Sequence, residues 1–286
     1  MAIAVIGATG NTGRAVVKEL RALGQNPICV IRNGEKAGEV LGEDAKTAVA
    51  ELTDRPALEK ALVGVQSVFV VTGHSPSMVE QQNNILDAAL KVGTEYLVRV
   101  SGARAAAKAD SESVVGRSHA AINERLKASN IKWVILSPSM FMQNMLGQAA
   151  SIKTDSKIVL PFAKDFPVAP IDVRATGAVG ARILLDPGPH AGKTYDLTGK
   201  LTTYGAFAEV FSQVLGRPIA YVGITPEQGM KARSMPDWLV AHNVALAKVG
   251  AAGGFSTENT KPIEELVGRA PITTKQFVED FKAAFS

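Results

Sequence analysis

Along the first 140 residues, short apolar runs alternate with longer stretches whose apolar positions recur at helical spacing. The runs are AIAVI (2–6), PICVI (27–31), TAVAEL (47–52), QSVFVVT (66–72), EYLVRVS (95–101) and KWVILS (132–137). They are rich in Val and Ile and do not alternate with polar residues, which predicts strands covered on both faces, as in a parallel sheet. Between them, GRAVVKELRALG and SMVEQQNNILDAALKVG predict helices. Ser77 stands where an N-cap is expected for the second of these, and Gly93 where that helix stops. Strand, helix, strand repeated in this way predicts right-handed crossovers and an α/β fold, a doubly wound parallel sheet.

Beyond Ser137 the rhythm changes. A loop-rich stretch runs to about Pro170, after which a helix over Asp172–Leu185 and a strand KTYDLTG (193–199) return to the sheet. After Leu201 the pattern predicts a helix over 204–215, a strand IAYVGIT (219–225), and helices around 226–249 and 274–284. Gly250, Gly253 and Gly254 mark a loop between the last two. Residues 1–150, with 171–200 returning to the sheet, thus form one region; 151–170 and 201–286 form a smaller α/β region over it. A cleft is expected between the two, at the C-terminal ends of the strands.

Composition narrows the classes. With 46% hydrophobic and 20% charged residues in 286, the chain has ample material for a core, so a disordered or collagenous chain is excluded. The single cysteine, Cys29, excludes an intramolecular disulfide and fits a reducing, cytoplasmic setting. MAIAVIGATG has no basic region before its apolar run, unlike a signal peptide. From Trp133 to Ile152 no residue is charged, but Pro138, Gln143, Asn144 and Gln148 interrupt the stretch, which reads as a buried strand and a cleft-lining loop. No membrane partner follows. The net charge of +4 comes without a Lys/Arg run, so no nucleic-acid partner is expected either. The four histidines and Cys29 show no metal-ligand spacing.

The chemistry begins at Gly7-Ala8-Thr9-Gly10-Asn11-Thr12-Gly13, between the first strand and the first helix. A glycine-rich turn there presents backbone N–H groups and a helix N-terminus to a pyrophosphate. Gly7 permits the turn, Gly10 admits the phosphates, and Gly13 lets helix and strand approach. NAD-specific folds place Asp or Glu at the end of the second strand to bond the ribose 2′-hydroxyl. Here the strand ends Val30-Ile31-Arg32-Asn33. Arg32 offers a planar fork for a 2′-phosphate and Lys36 adds charge, so the expected cofactor is NADP(H).

These features carry a resemblance. GATGNTG, the VIRN strand end and ELTDRPALEKALVGVQSVFVVTG resemble the NmrA-like branch of the atypical short-chain dehydrogenases/reductases. The resemblance continues through LKASNIKWVILSPSMFMQNM, IDVRATGAVGARILL, KTYDLTG and LVGRAPITTKQFVEDF, and so spans nearly the whole chain. The chain is most similar in pattern to the flavin-free triphenylmethane dye, azo dye and quinone reductases of that group. The resemblance implies a Rossmann-like fold, with NADP(H) held by Gly7, Thr9, Gly10, Asn11, Thr12, Gly13, Arg32 and Lys36. It places Thr72, Gly73, His74 and Ser101 at the nicotinamide half. It also places Phe141, Met142, Asn144 and Met145 along the substrate cleft, an apolar, methionine-bearing wall suited to a planar aromatic guest.

One departure matters. Typical members of the wider superfamily carry Tyr-x-x-x-Lys on the helix before the sixth strand, and here Val115 and His119 stand at those positions. An ordinary carbonyl–alcohol dehydrogenase is not expected. Hydride transfer to a small aromatic or quinonoid acceptor does not require that pair, and His119, His74 and Ser101 are candidates for completing the protonation. The missing pair fits a second reading too: an NADP(H)-binding redox sensor that regulates a partner without turnover. A monomer or homodimer is expected.

Overall fold

A computed structural model describes residues 2–34, 37–225, 228 and 236–286. Its central sheet contains β1 (Ile3–Ile6), β2 (Ile28–Ile31), β3 (Thr47–Val49), β4 (Ser67–Val70), β5 (Tyr96–Val100) and β6 (Lys132–Pro138). Smaller strands β7 (Lys157–Leu160) and β8 (Pro167–Val168) follow, and then β9 (Lys193–Leu197) completes the sheet. The order is β3-β2-β1-β4-β5-β6-β9, with every pairing parallel. This is the Rossmann-like, doubly wound sheet expected from the apolar runs. The order reverses between β1 and β4, where such sheets open a crevice at their C-terminal edge.

All four residues of β1 and of β4 are buried, whereas the edge strand β3 is exposed at Thr47 and Val49. The edge position explains why TAVAEL yields a shorter strand than its composition predicts. Helix α1 (Asn11–Ala22) is followed by α2 (Ala37–Leu41), α3 (Arg55–Leu62), α4 (Met78–Val92), α5 (Val114–Lys127), α6 (Ala149–Asp155) and α7 (Val173–Leu185). Val16, Val17 and Leu20 of α1 join Val179 and Ile183 of α7 on one face of the sheet. Leu58, Leu62, Ile85, Leu86 and Leu126 cover the other. The α1–α7 approach is close: a Cβ on Gly177 would lie 2.7 Å from that of Ala15.

Helix ends follow local chemistry. Asp172 caps α7 by accepting from the Arg174 N–H at 2.8 Å, and Gly93 ends α4 at φ +78°. Ser77 occupies the N-cap position of α4 but does not cap its backbone; its hydroxyl accepts from Gln81 Nε2 at 2.9 Å.

The C-terminal part adds β10 (Thr202–Thr203), α8 (Tyr204–Leu215) and β11 (Ala220–Gly223). β11 pairs parallel with β7, and β10 antiparallel with β8. Phe207 and Phe211 pack with Phe277, Phe285, Met142 and Met145 in a core of their own. The helix expected around 226–249 runs from Asp237 to Ala251, and of 226–235 only Gln228 is described. Gly250 therefore sits inside a helix rather than in a loop; a Cβ there would strike Phe166 Cζ at 1.7 Å, so the packing demands glycine. The expected helix 274–284 is two pieces, Thr274–Asp280 and Lys282–Phe285, parted at Phe281. Helix Lys261–Val267 returns to the main core, where Ile263 is 1% exposed. No described helix is long and apolar enough to cross a membrane.

Candidate functional site

The glycine turn after β1 separates what the fold requires from what it does not. Gly7 has φ +83°, and a Cβ on it would lie 2.0 Å from the Val71 carbonyl oxygen. A Cβ on Gly13 would lie 2.0 Å from the Gly7 carbonyl oxygen. Gly10 is different: its nearest neighbour would be that same oxygen at 3.4 Å, an ordinary contact. Gly10 is also the N-cap of α1, with no side chain capping it and no acidic residue in the first turn. The protein gives no steric reason for glycine here, whereas a ligand phosphate approaching the open helix end does. Thr9, Gly10 and Asn11 are exposed at this end, while Thr12 and Gly13 are buried beneath it. Arg32 is exposed at the end of β2 and forms no bond to another described residue. Lys36 lies outside the described residues.

A pocket of about 690 Å³ opens beyond the C-terminal ends of β5 and β6, on the same sheet edge as the glycine turn. It is lined by His74, Ser101 and His119 on one side and by Phe141, Met142, Asn144 and Met145 on another. Every residue expected at the substrate cleft is therefore brought together. Met142 and Met145 belong simultaneously to the C-terminal core, so the wall they form is rigidly backed. Thr72 and Gly73 do not line the pocket; Thr72 Oγ1 accepts from Gln82 Nε2 at 2.8 Å, and Gly73 is exposed with open space around it. The sequence reading did not anticipate Phe162, Tyr204, Leu239, His242 and Phe255 in the lining. Phe162 and Tyr204 stack with centroids 5.2 Å apart and planes 12° apart, a flat aromatic surface for a flat guest.

Behind the pocket lies a polar network centred on Arg99 of β5, which is 1% exposed. Its Nε donates to Gln82 Oε1 at 2.6 Å, one Nη donates to Asn123 Oδ1, and the other reaches His119 Nδ1 at 2.9 Å. Asn123 Nδ2 in turn donates to Ser101 Oγ at 3.0 Å, which leaves the serine proton free to point at a ligand. A guanidinium only donates, so His119 Nδ1 must accept and the neutral ring carries its proton on Nε2. That nitrogen is 3.4 Å from His74 Nε2. Burial, the Arg99 charge and the neighbouring His74 and His242 hold His119 well below the ordinary histidine value. At neutral pH it is a tautomer-locked hydrogen-bond donor, not an imidazolium. A Cβ on Gly102 would lie 2.9 Å from His119 Cδ2, so glycine at the end of β5 leaves this ring its place. Val115, where the superfamily tyrosine is expected, is buried against Met78 and Ile122 and lines the pocket one helical turn before His119.

The sequence did carry a signal for Arg99: an arginine between Val98 and Val100 in a run predicted to be covered on both faces needs buried acceptors. His242 carried none, since it meets Ser113 Oγ at 2.7 Å across 129 positions. Burial and the adjacent His74 pull His242 down to about 4, from an ordinary 6.5. Between these values the unfolded chain takes up a proton that the folded chain refuses, so stability falls as pH is lowered through that window. Roughly 3 kcal/mol is expected from His242 alone by about pH 4. Urea midpoints across the window test this, and His242→Asn should flatten the slope; equal slopes would refute it.

Among the described residues no group of three or more His, Cys, Asp or Glu is arranged to hold a metal ion. Cys29 is fully buried in β2, and its burial raises the thiol above its usual value.

Residues 1–269 match the model of the NmrA-like family. The chain is 32% identical over 290 residues to an NAD(P)H azoreductase of Xenophilus azovorans, covering 99% of each protein. Its fold is similar to that of the NADPH-dependent quinone oxidoreductase QOR2 of Escherichia coli complexed with NADPH (TM-score 0.85, 23% identity, 98% of this chain and 99% of that one). It is similar also to the Citrobacter sp. triphenylmethane reductase complexed with NADP(H) (TM-score 0.82, 22% identity, 96% and 98%). At these identities the two structures speak for the fold; the family match and the azoreductase establish kinship across the chain. The chain belongs to the NmrA-like family.

Proposed function

We propose that the chain is an NADPH-dependent, flavin-free oxidoreductase that delivers hydride to a planar aromatic or quinonoid acceptor of the quinone, azo dye or triarylmethane dye type. The observation that carries this reading is the placement of the uncapped glycine turn and the aromatic-walled pocket on one edge of the sheet. Kinship with an azoreductase supports it. In this reading residues 1–150 with 171–200 hold the cofactor, and 151–170 with 201–286 cover the acceptor. A cytoplasmic location and a monomer or homodimer are part of the same reading.

The chain's own residues have distinct tasks. Gly7, Thr9, Gly10, Asn11, Thr12 and Gly13 offer the pyrophosphate an open helix end, and Arg32 grips the 2′-phosphate. Thr72, Gly73 and His74 form the rim towards the nicotinamide half, with the Ser101 hydroxyl below. Bound NADPH supplies the hydride. Met142, Met145 and Phe141 exclude water and, with the Phe162–Tyr204 stack, orient the acceptor, and Asn144 offers it an amide. Hydride transfer needs the reacting atoms within about 3–3.5 Å, and these walls would hold the acceptor for it. His119 and Ser101 donate hydrogen bonds, and a solvent proton completes the reduction.

The test is loss of reduced-nicotinamide absorbance with purified, flavin-free protein and quinones, azo dyes or triarylmethane dyes. Turnover without added flavin is expected, and His119→Ala and Ser101→Ala should each lower kcat by less than about 100-fold, the scale of a lost general acid. A loss near 1,000-fold in His119→Ala with cofactor affinity intact would make His119 a true acid. Tight NADPH binding with no turnover on any acceptor would favour the sensor reading.

A further inference from the structure

Among the described residues Arg99 bonds only neutral acceptors: Gln82, Asn123 and His119. No carboxylate is paired with it among the described residues. A buried cation without a counter-ion keeps its field, because neither water nor an anion screens it. That field reaches the pocket through the groups Arg99 holds: His119 at 2.9 Å, and Ser101 by way of Asn123, both of which line the pocket. The pocket wall does not balance it. Among the described lining residues the ionisable side chains are His74, His119, His242 and Tyr204, and none is a carboxylate.

Resting on the hydride-acceptor reading of the pocket, we propose that Arg99 is a specificity-determining residue. It selects uncharged acceptors that become anions on taking hydride, and it acts against cationic dyes. A neutral quinone gains two electrons and one proton from the reduced nicotinamide, becomes a hydroquinone monoanion, and takes one further proton from solvent. A neutral azo bond becomes a hydrazide anion and likewise takes one proton, ending as a hydrazine. In both, the oxidised nicotinamide is the other product, and negative charge grows where the Arg99 field favours it. A triarylmethane cation must instead enter the pocket against that field, and it leaves as a neutral leuco compound that the field does not help. His119 carries its proton on Nε2, at the pocket edge beside His74, because Arg99 occupies its Nδ1. Arg99 thus acts through His119 as well as by charge.

A unit charge about 7 Å from the guanidinium, at an effective dielectric of about 20, is disfavoured roughly 50-fold. The probes are a neutral dimethylamino azobenzene, its trimethylammonium analogue of nearly the same shape, and a cationic triarylmethane dye. Equilibrium dialysis against the wild-type protein should show the neutral azo dye binding about 50-fold more tightly than its cationic analogue. The ratio of kcat/KM for a neutral naphthoquinone over the triarylmethane dye should favour the quinone by at least the same factor. Arg99→Met should collapse both ratios and Arg99→Lys, which keeps the charge, should preserve them. Should Arg99→Met not fold, Asn243→Asp places a carboxylate on the pocket wall and should tighten the cationic azo dye at least tenfold. Equal or tighter binding of the cation to wild type overturns the proposal, as does an unchanged ratio in a folded Arg99→Met. If no acceptor is reduced, the hydride-transfer reading falls, and the dialysis ratio still decides the role of Arg99.

Discussion

Gly10→Val is expected to abolish NADPH binding while leaving the protein folded. Gly10 has extended backbone angles that valine also adopts, φ −76° and ψ 166°, and a Cβ there meets nothing closer than 3.4 Å. Replacing an N-cap glycine by valine costs about 1 kcal/mol, a shift of roughly 2–4 °C in Tm for a chain this long. The branched side chain, however, projects over the N-terminus of α1, where a pyrophosphate must come within hydrogen-bond distance of the backbone. Gly13→Val provides the contrast. Its Cβ would sit 2.0 Å from the Gly7 oxygen and 2.8 Å from Ala8 Cα, both backbone atoms that cannot move aside. That variant should lose several kcal/mol of stability and fail to fold well. Calorimetric titration with NADPH, beside thermal melts, separates the two cases. Affinity in Gly10→Val within about tenfold of wild type would show that the cofactor does not use this turn.

The second large effect is expected at Arg32. Arg32→Ala should weaken NADPH by about 1.5–3 kcal/mol, roughly 10- to 150-fold, and leave NADH nearly unchanged. Arg32 is exposed and engages no other described residue, so its removal costs the free protein nothing and the whole effect falls on the ligand. The contact is charge-assisted and near solvent, so the wild-type preference for NADPH should shrink as salt is raised. Titrating both cofactors into both proteins checks this. Equal wild-type affinities for NADPH and NADH would remove the role assigned to Arg32.

The strands of the central sheet were legible because burial on both faces selects β-branched residues continuously, a local property of the chain. Six apolar runs gave six parallel strands, and the return of 193–199 to the sheet edge gave the seventh, whose Leu136↔Tyr195 register places it beside β6. Ends were less legible. Ser77 has the right type and place for a cap, yet its hydroxyl accepts from Gln81, because a neighbouring amide competes for the same lone pair. Gly250 reads as a loop glycine, but the ring of Phe166, far away in sequence, holds it inside a helix.

The site divides along the same line. By itself, the sequence determined the glycine turn and the residue at the end of β2, because a strand–glycine–helix junction is set by neighbours in the chain. It also put Val115 and His119 one turn apart on a single helix, where the resemblance expects the tyrosine and lysine of the superfamily. Only the tertiary structure decided what His119 is. Its tautomer and its loss of basicity come from Arg99 on β5, His74 after β4 and His242 on helix Asp237–Ala251, with Gln82 of α4 holding the arginine from behind. The pocket's aromatic wall likewise joins Phe162 to Tyr204 across a break of some forty residues. Electrostatic and packing interactions depend on distance in space and on exclusion of water, and neither is written in the spacing of residues along the chain.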